Sequence, residues 1–316
     1  YRQVCRDMLL VADEAERSLV QVIGITSEMD YFNQDYENQK QLSGMIVAEN
    51  GTDLFVLTEH RAVKAAERIQ VIFCDGAMTD ANIQTADEST GLAVLKVQMT
   101  SLKPETLAEI AAAPLGNSFA VSRGDPVMAL GSPLGYSDSI AFGIITSTNQ
   151  KISMIDREYG LLMTDIEYSS DGSGVLVDLE GDVVGVITQA FGSEDGGTIV
   201  LPISQIKKLI ENLSNNEKQI YVGIVGQDVT QDITDRTGIP RGVLVTSVMQ
   251  DSPAMLAGIK EFDVIVRIGE EPVEILRDYT LIIEKLPEEE TVTFTAMRKG
   301  AEGYTEITFE VTPEGR

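Results

Sequence analysis

One histidine, His60, and one serine set among glycines, Ser173 in "SDGSGV" (residues 170–175), could carry nucleophilic chemistry here. A serine hydroxyl attacks at neutral pH only when a base takes its proton. Histidine suits that task because its pKa lies near the working pH. With a single histidine in 316 residues there is one candidate base and no multi-histidine metal site. Cys5 and Cys74 supply neither a disulfide framework nor metal-ligand spacing, and no metal or other cofactor is expected. Other serine stretches, "GSPLG" (131–135) and "GSEDGG" (192–197), read as turn chemistry, with Glu194-Asp195 a solvated loop.

The elements that must position these residues are mainly strands. From residue 19, short runs rich in Val, Ile and Leu are punctuated closely by Gly, Asn and Asp, which predicts antiparallel β structure. A hairpin around Glu180-Gly181 is the clearest case. Residues 3–18 carry apolar residues at helical spacing and predict a short amphipathic helix. A second stripe, Ile206, Leu209, Ile210 and Leu213, runs into polar Ser214-Asn215-Asn216, where a domain boundary is expected. The reading is thus a helix over 1–18, a β domain over 19–214 and a smaller α+β domain over 215–316. In the last of these, Ser252-Pro253 predicts a helix start and Gly258 its stop.

Hydrophobic residues make up 43% and charged residues 23%, ordinary for a globular protein without a membrane-spanning run. A formal net charge of -26 repels phosphate backbones, which argues against nucleic-acid partners. The first residue is Tyr, so a fragment or processed form is expected, with any signal peptide or anchor outside it.

Both halves resemble the HtrA (DegP-like) family, a trypsin-like protease followed by a PDZ domain. The likeness rests on motifs in order: residues 43–73 around "VLTEHRAV", "LAVLKV" (92–97), "GDPVMALGSPLG" (124–135), "IAFGIITS" (140–147) and "GVLVDLEGDVVGVIT" (174–188). Then come "YVGIVG" (221–226) and residues 243–273. It implies a mainly β fold, a trypsin-like double six-stranded barrel followed by an α+β PDZ domain.

At the catalytic positions the likeness fails. The family's histidine turn reads Thr-Asn-Asn-His-Val-Val, and an ungapped register puts Arg61 on the histidine, with His60 one residue early. The family's Asp falls on Gly91. Counting back from "LVDLEG" puts Gly172 on the nucleophile, whereas anchoring on Ser173-Gly174 restores a serine but requires a deletion and puts Asp171 on an oxyanion-hole glycine. Arginine stays protonated and has no acceptor nitrogen, so it cannot serve as the base. Losing the orienting Asp is costly as well; in the chymotrypsin template even Asp to Asn lowers turnover by about 10⁴-fold. The expectation is an inactive protease fold. A working site would need His60 to reach Ser173, oriented by Glu59, Asp87 or Glu88; otherwise His60 is a surface residue in a polar network.

By resemblance, Tyr221, Val222, Gly223 and Ile224 form a loop that captures a peptide's terminal carboxylate, and Val225 to Gln227 pair with the peptide as an added strand. The helix around Tyr279 to Ile283 would border the pocket for its last side chain, with Ile224, Leu281 and Ile282 making it apolar; ordinary core packing is the alternative for the same residues. The expected role is binding peptides or protein C-termini, in scaffolding or in regulating active HtrA-like relatives. Alternatives are a serine endopeptidase with a displaced His60/Ser173 site and a structural component of an envelope assembly. The family also implies an extracytoplasmic location, with a membrane anchor outside this chain, and trimers built through aromatic residues, for which Tyr31, Phe32 and Tyr36 are candidates.

Overall fold

The computed structural model describes residues 2–29, 35–191 and 197–316. Tyr31, Phe32, the side chain of Tyr36 and the loop Glu194-Asp195 lie outside the described residues.

After α1 (Arg2–Glu16), six strands close into a barrel: β1 (Leu19–Met29), β2 (Asp35–Glu49), β3 (Asp53–Glu59), β4 (Arg68–Ile72), β5 (Met78–Asp87) and β6 (Leu92–Gln98), in spatial order β1-β2-β3-β6-β5-β4. After α2 (Pro104–Glu109), a second barrel has the same arrangement. It comprises β7 (Pro126–Ser132), β8 (Ser139–Met154), β9 (Arg157–Glu167), β10 (Ser173–Val177), β11 (Val183–Ile187) and β12 (Gly197–Pro202), ordered β10-β11-β12-β9-β8-β7. Closure pairs every strand on both sides, so no edge is left to recruit another chain.

Alternation fills each barrel. Val20, Val22, Leu42, Ile46, Val56, Val71 and Leu95 point into the first, and Val127, Ala129, Ile145, Leu176 and Val200 into the second. Each fully buried Val, Leu or Ile contributes about 1.5–3 kcal/mol over leaving it in water. This core holds the loops at the barrel ends in register. Helix α3 (Ile203–Ser214) buries the stripe Ile206, Leu209, Ile210 and Leu213.

The chain divides into two compact units, residues 1–150 with 160–217, and residues 151–159 with 218–316. The second unit is built from β13 (Ile220–Tyr221), β14 (Ile224–Val229), α4 (Gln231–Thr237), β15 (Gly242–Val248), α5 (Pro253–Ala257), β16 (Val264–Ile268), β17 (Glu271–Pro272), α6 (Leu276–Ile283), β18 (Val292–Gly300), β19 (Gly303–Val311) and β20 (Glu314–Gly315). Its main sheet runs β14-β15-β16-β18-β19, with β17 beside β16 and a separate β13-β20 pair. Ser252 caps α5 by accepting the Met255 N–H, and Gly258 ends it at φ 92°. Tyr279 and Phe294 meet edge to face, 6.5 Å between ring centres, within an apolar core that includes Ile224, Val243, Ile265 and Ile283.

Candidate functional site

In the first unit, the end of β3 delivers Glu59, a short 3-10 turn carries His60 and Arg61, and the 167–173 turn enters β10. Arg61 faces that turn. Its Nε donates to Glu59 Oε2 at 3.0 Å, its Nη2 to Glu59 Oε1 at 3.2 Å, and Nη2 also to the Gly172 carbonyl at 3.3 Å. Gln189 Nε2 donates to the same carbonyl at 2.7 Å. Glu59 is buried and accepts further from the Gln189 N–H at 3.1 Å and from Thr188 Oγ1 at 3.4 Å. A carboxylate is therefore present, supplied two residues ahead of Arg61, and it grips a permanent cation.

Ser173 is 1% exposed. Its Oγ accepts the Ser43 backbone N–H at 2.9 Å. The space around it, lined by Ser43, Met45, Leu57, Glu59 and Val186, amounts to about 10 Å³, at the limit for one water. The Gly172 N–H is spent on the Ser169 carbonyl at 2.9 Å. A Cβ at Gly172 would lie 2.5 Å from the Pro133 carbonyl oxygen, so this turn has no room for a side chain there. His60 has its backbone N–H on the Gly91 carbonyl at 2.7 Å. Burial and then Lys64 hold its imidazole below the usual pKa, while Glu88 and Asp87 pull upward. Gly91 lies at φ 69°.

In the second unit, the loop ahead of β14 is a nest of backbone donors, and a carboxylate fills it. Asp156 Oδ2 accepts the N–H groups of Val222 and Gly223, each at 2.8 Å, and Oδ1 accepts that of Ile224 at 3.1 Å. Tyr279 completes the set from α6, donating its hydroxyl to Oδ1 at 2.7 Å. Asp156 returns its own N–H to the Ile224 carbonyl at 2.7 Å, and Ile155 bridges Val225 in antiparallel fashion. Burial pushes the Asp156 carboxyl above the usual range, while the N–H groups of Gly223 and Val222, the Tyr279 hydroxyl and the Ile224 N–H oppose it. Burial and the Asp156 charge push the Tyr279 hydroxyl well above its usual value, so it stays a donor. Gly223 sits at φ 93°, and a Cβ there would overlap the Ser252 side chain.

A model described as a trypsin-like peptidase domain matches residues 42–186, and one described as a PDZ domain matches residues 210–309. The probable periplasmic serine endoprotease DegP-like of Brucella suis biovar 1 (strain 1330) is 28% identical over 284 residues, 87% of this chain and 53% of the relative. The protein of the same description from Ectopseudomonas mendocina (strain ymp) is 28% identical over 286 residues, 88% of this chain and 58% of the relative. Over nearly its whole length the chain is similar to DegP-like serine endoproteases, with a trypsin-like match followed by a PDZ match. It spans about half the length of these curated relatives. The solved HtrA-type protease AlgW with decapeptide superimposes at TM-score 0.69 with 20% identity, covering 98% of both chains. The serine endoprotease from Yersinia pestis superimposes at 0.66 with 22% identity, again over 98% of both. At such identities the superpositions speak for the fold.

Arg61 and Gly172 meet, whereas the Ser173 hydroxyl is bonded to the Ser43 N–H. In the PDZ domain, Val222 and Ile224 are buried, Ile282 is partly buried, and Leu281 is 45% exposed. Tyr221 stacks under the Arg316 guanidinium, 3.4 Å from its ring centre. Val225 and Gln227 lie on β14 opposite Ser247 and Leu244 of β15. Sequence reasoning placed the helix around Tyr279 to Ile283 beside the peptide pocket but missed Asp156, whose available signal was an aspartate in the short turn of "SMIDREYG" (153–160), which reads as turn chemistry.

Proposed function

We propose that this HtrA-like chain is a peptide-binding protein without peptidase activity, whose PDZ groove takes the C-termini of peptides or proteins. The observation that carries the reading is the Val222–Ile224 nest, three N–H groups converging on one carboxylate. That is the chemistry by which a backbone loop captures a chain terminus.

The absence of peptidase activity is supported by the occupants of the barrel site. A guanidinium with no acceptor nitrogen stands where a base is needed, and it is pinned by Glu59 and the Gly172 carbonyl. The Ser173 hydroxyl accepts a buried backbone N–H, and the Gly172 donor that could meet an oxyanion is bonded to Ser169. The solved relative named with a decapeptide supports peptide binding as the shared property, and the relatives named periplasmic support an extracytoplasmic setting.

The competing reading is a serine endopeptidase, as the curated relatives are named. A fluorophosphonate probe separates the two. No labelling, together with saturable binding of a peptide bearing a free C-terminal carboxylate, is expected. Labelling that vanishes in Ser173→Ala would overturn the reading.

A further inference from the structure

The donors that should greet a peptide's carboxylate are already taken. We propose that the PDZ groove is self-ligated: the turn carrying Asp156 occupies it as an internal surrogate for a C-terminus, and an external C-terminal peptide binds only by displacing that turn. The inference rests on the peptide-binding reading above for its second half. Its first half stands on geometry alone.

Three features make Asp156 a ligand mimic rather than a turn residue that happens to be near. The carboxylate uses both oxygens and collects four donors, the N–H groups of Val222, Gly223 and Ile224 and the Tyr279 hydroxyl. The backbone before it follows strand addition, with Ile155 bridging Val225 on the edge of β14 not taken by β15, and with the Asp156 N–H on the Ile224 carbonyl. The backbone of Asp156 then turns at φ 59°, a left-handed conformation in which the chain can leave the groove where a true terminus would stop.

Side chains around the turn hold it in place. Thr280 Oγ1 of α6 donates to the Asp156 carbonyl at 3.1 Å. Arg157 donates to Gln219 Oε1 at 2.8 Å and pairs with Glu284 at 3.3 Å. The four donors on the Asp156 carboxylate are neutral, three backbone N–H groups and a phenol hydroxyl. A free C-terminal carboxylate offers the same two oxygens and competes for the same donors. Because the groove is available only in the fraction of molecules whose turn has left, apparent affinity is reduced by that fraction.

Two measurements on the whole chain test this. In hydrogen exchange without ligand, the amides of Val222, Gly223 and Ile224 are expected to be protected in the wild type. They should exchange at least about tenfold faster in Asp156→Ala, the loss of one or more hydrogen bonds each. In fluorescence anisotropy, a fluorescein-labelled decapeptide of alternating apolar residues ending in valine with a free carboxylate is expected to bind Asp156→Ala at least about tenfold more tightly than the wild type. Its C-terminal carboxamide should bind neither. Tyr279→Phe, which keeps the ring and removes one donor from Asp156, should exchange faster than the wild type and serves as the exchange test if Asp156→Ala does not fold. Unchanged exchange in the variants, or equal peptide affinity for wild type and Asp156→Ala, would overturn self-ligation. Faster exchange with no peptide binding to any variant would uphold self-ligation and sink the peptide-binding reading instead.

Discussion

Nη2 of Arg61 lies 3.3 Å from the carbonyl oxygen of Gly172. Two ungapped registers, counted from different strands, put these residues on the family's histidine and serine positions. Their contact shows that the chain brings the two turns together, a guanidinium donating to a backbone oxygen.

The first prediction concerns restoring activity. Arg61→His is expected to leave hydrolysis of a fluorescent casein at background, even though Glu59 sits well to orient a ring. The candidate nucleophile, Ser173, is buried and bonded to the Ser43 N–H. Adding Gly172→Ser should not help, because a Cβ there meets the Pro133 carbonyl oxygen at 2.5 Å. Turnover above background by Arg61→His alone would mean that Ser173 is within reach of a base.

The Glu59–Arg61 pair should matter for stability instead. Glu59 has a side chain only 4% exposed, whereas that of Arg61 is 27% exposed. Removing one member of a fully buried pair costs about 3–5 kcal/mol; Arg61→Ala is expected to cost somewhat less, about 2 kcal/mol, since water reaches the site. Urea unfolding should show this loss, and the double variant Glu59→Gln/Arg61→Ala should recover part of it. A single variant as stable as the wild type would show that Thr188 and the Gln189 N–H suffice to hold Glu59.

Much of this was legible in the sequence, and for local reasons. Period-two apolar alternation marks the strands, and glycines mark the turns, so a sandwich or barrel follows from short-range pattern, whereas closure into two six-stranded barrels and the fold of the smaller unit came from the resemblance of ordered motifs. The expectation for Arg61 and Gly91 rests on spacing to neighbouring strands, whereas a register shift of one residue in the serine turn exchanges Gly172, which meets Arg61, for Ser173, which meets Ser43. Asp156 was invisible because its partners lie 66 to 123 positions away, and an aspartate in a turn normally serves the turn itself.

Gly223 tests the nest from its other side. At φ 93° an alanine is strained, and its Cβ would overlap Ser252. Gly223→Ala in the Asp156→Ala background is expected to weaken binding of the free-carboxylate decapeptide at least about tenfold, the scale of losing one hydrogen bond to a charged group. Ser252→Ala, which removes the cap on the Met255 N–H, should cost about 1 kcal/mol of stability and leave the nest donors in place. Anisotropy and thermal unfolding on the same samples would tell the two effects apart. Equal losses of peptide binding in both variants would argue against a specific role for the loop.

His60 supplies a pH-dependent test. Burial first, and Lys64 second, lower its pKa from 6.5, against the pull of Glu88 and Asp87. The folded protein therefore takes up this proton less readily than the unfolded chain. Stability from the group is full above the unfolded value near 6.5 and is lost as pH falls through the depressed folded value. The wild type should thus lose more stability than His60→Gln between about pH 8 and pH 5, because the variant lacks the group that protonates on unfolding. Urea midpoints for both proteins at the two pH values give the comparison directly. Carboxylates elsewhere titrate in both proteins and cancel in the difference. A difference that stays constant, or that favours the wild type in acid, would mean that His60 is paired in the folded state and does not stand in the partly desolvated, Lys64-facing position seen here.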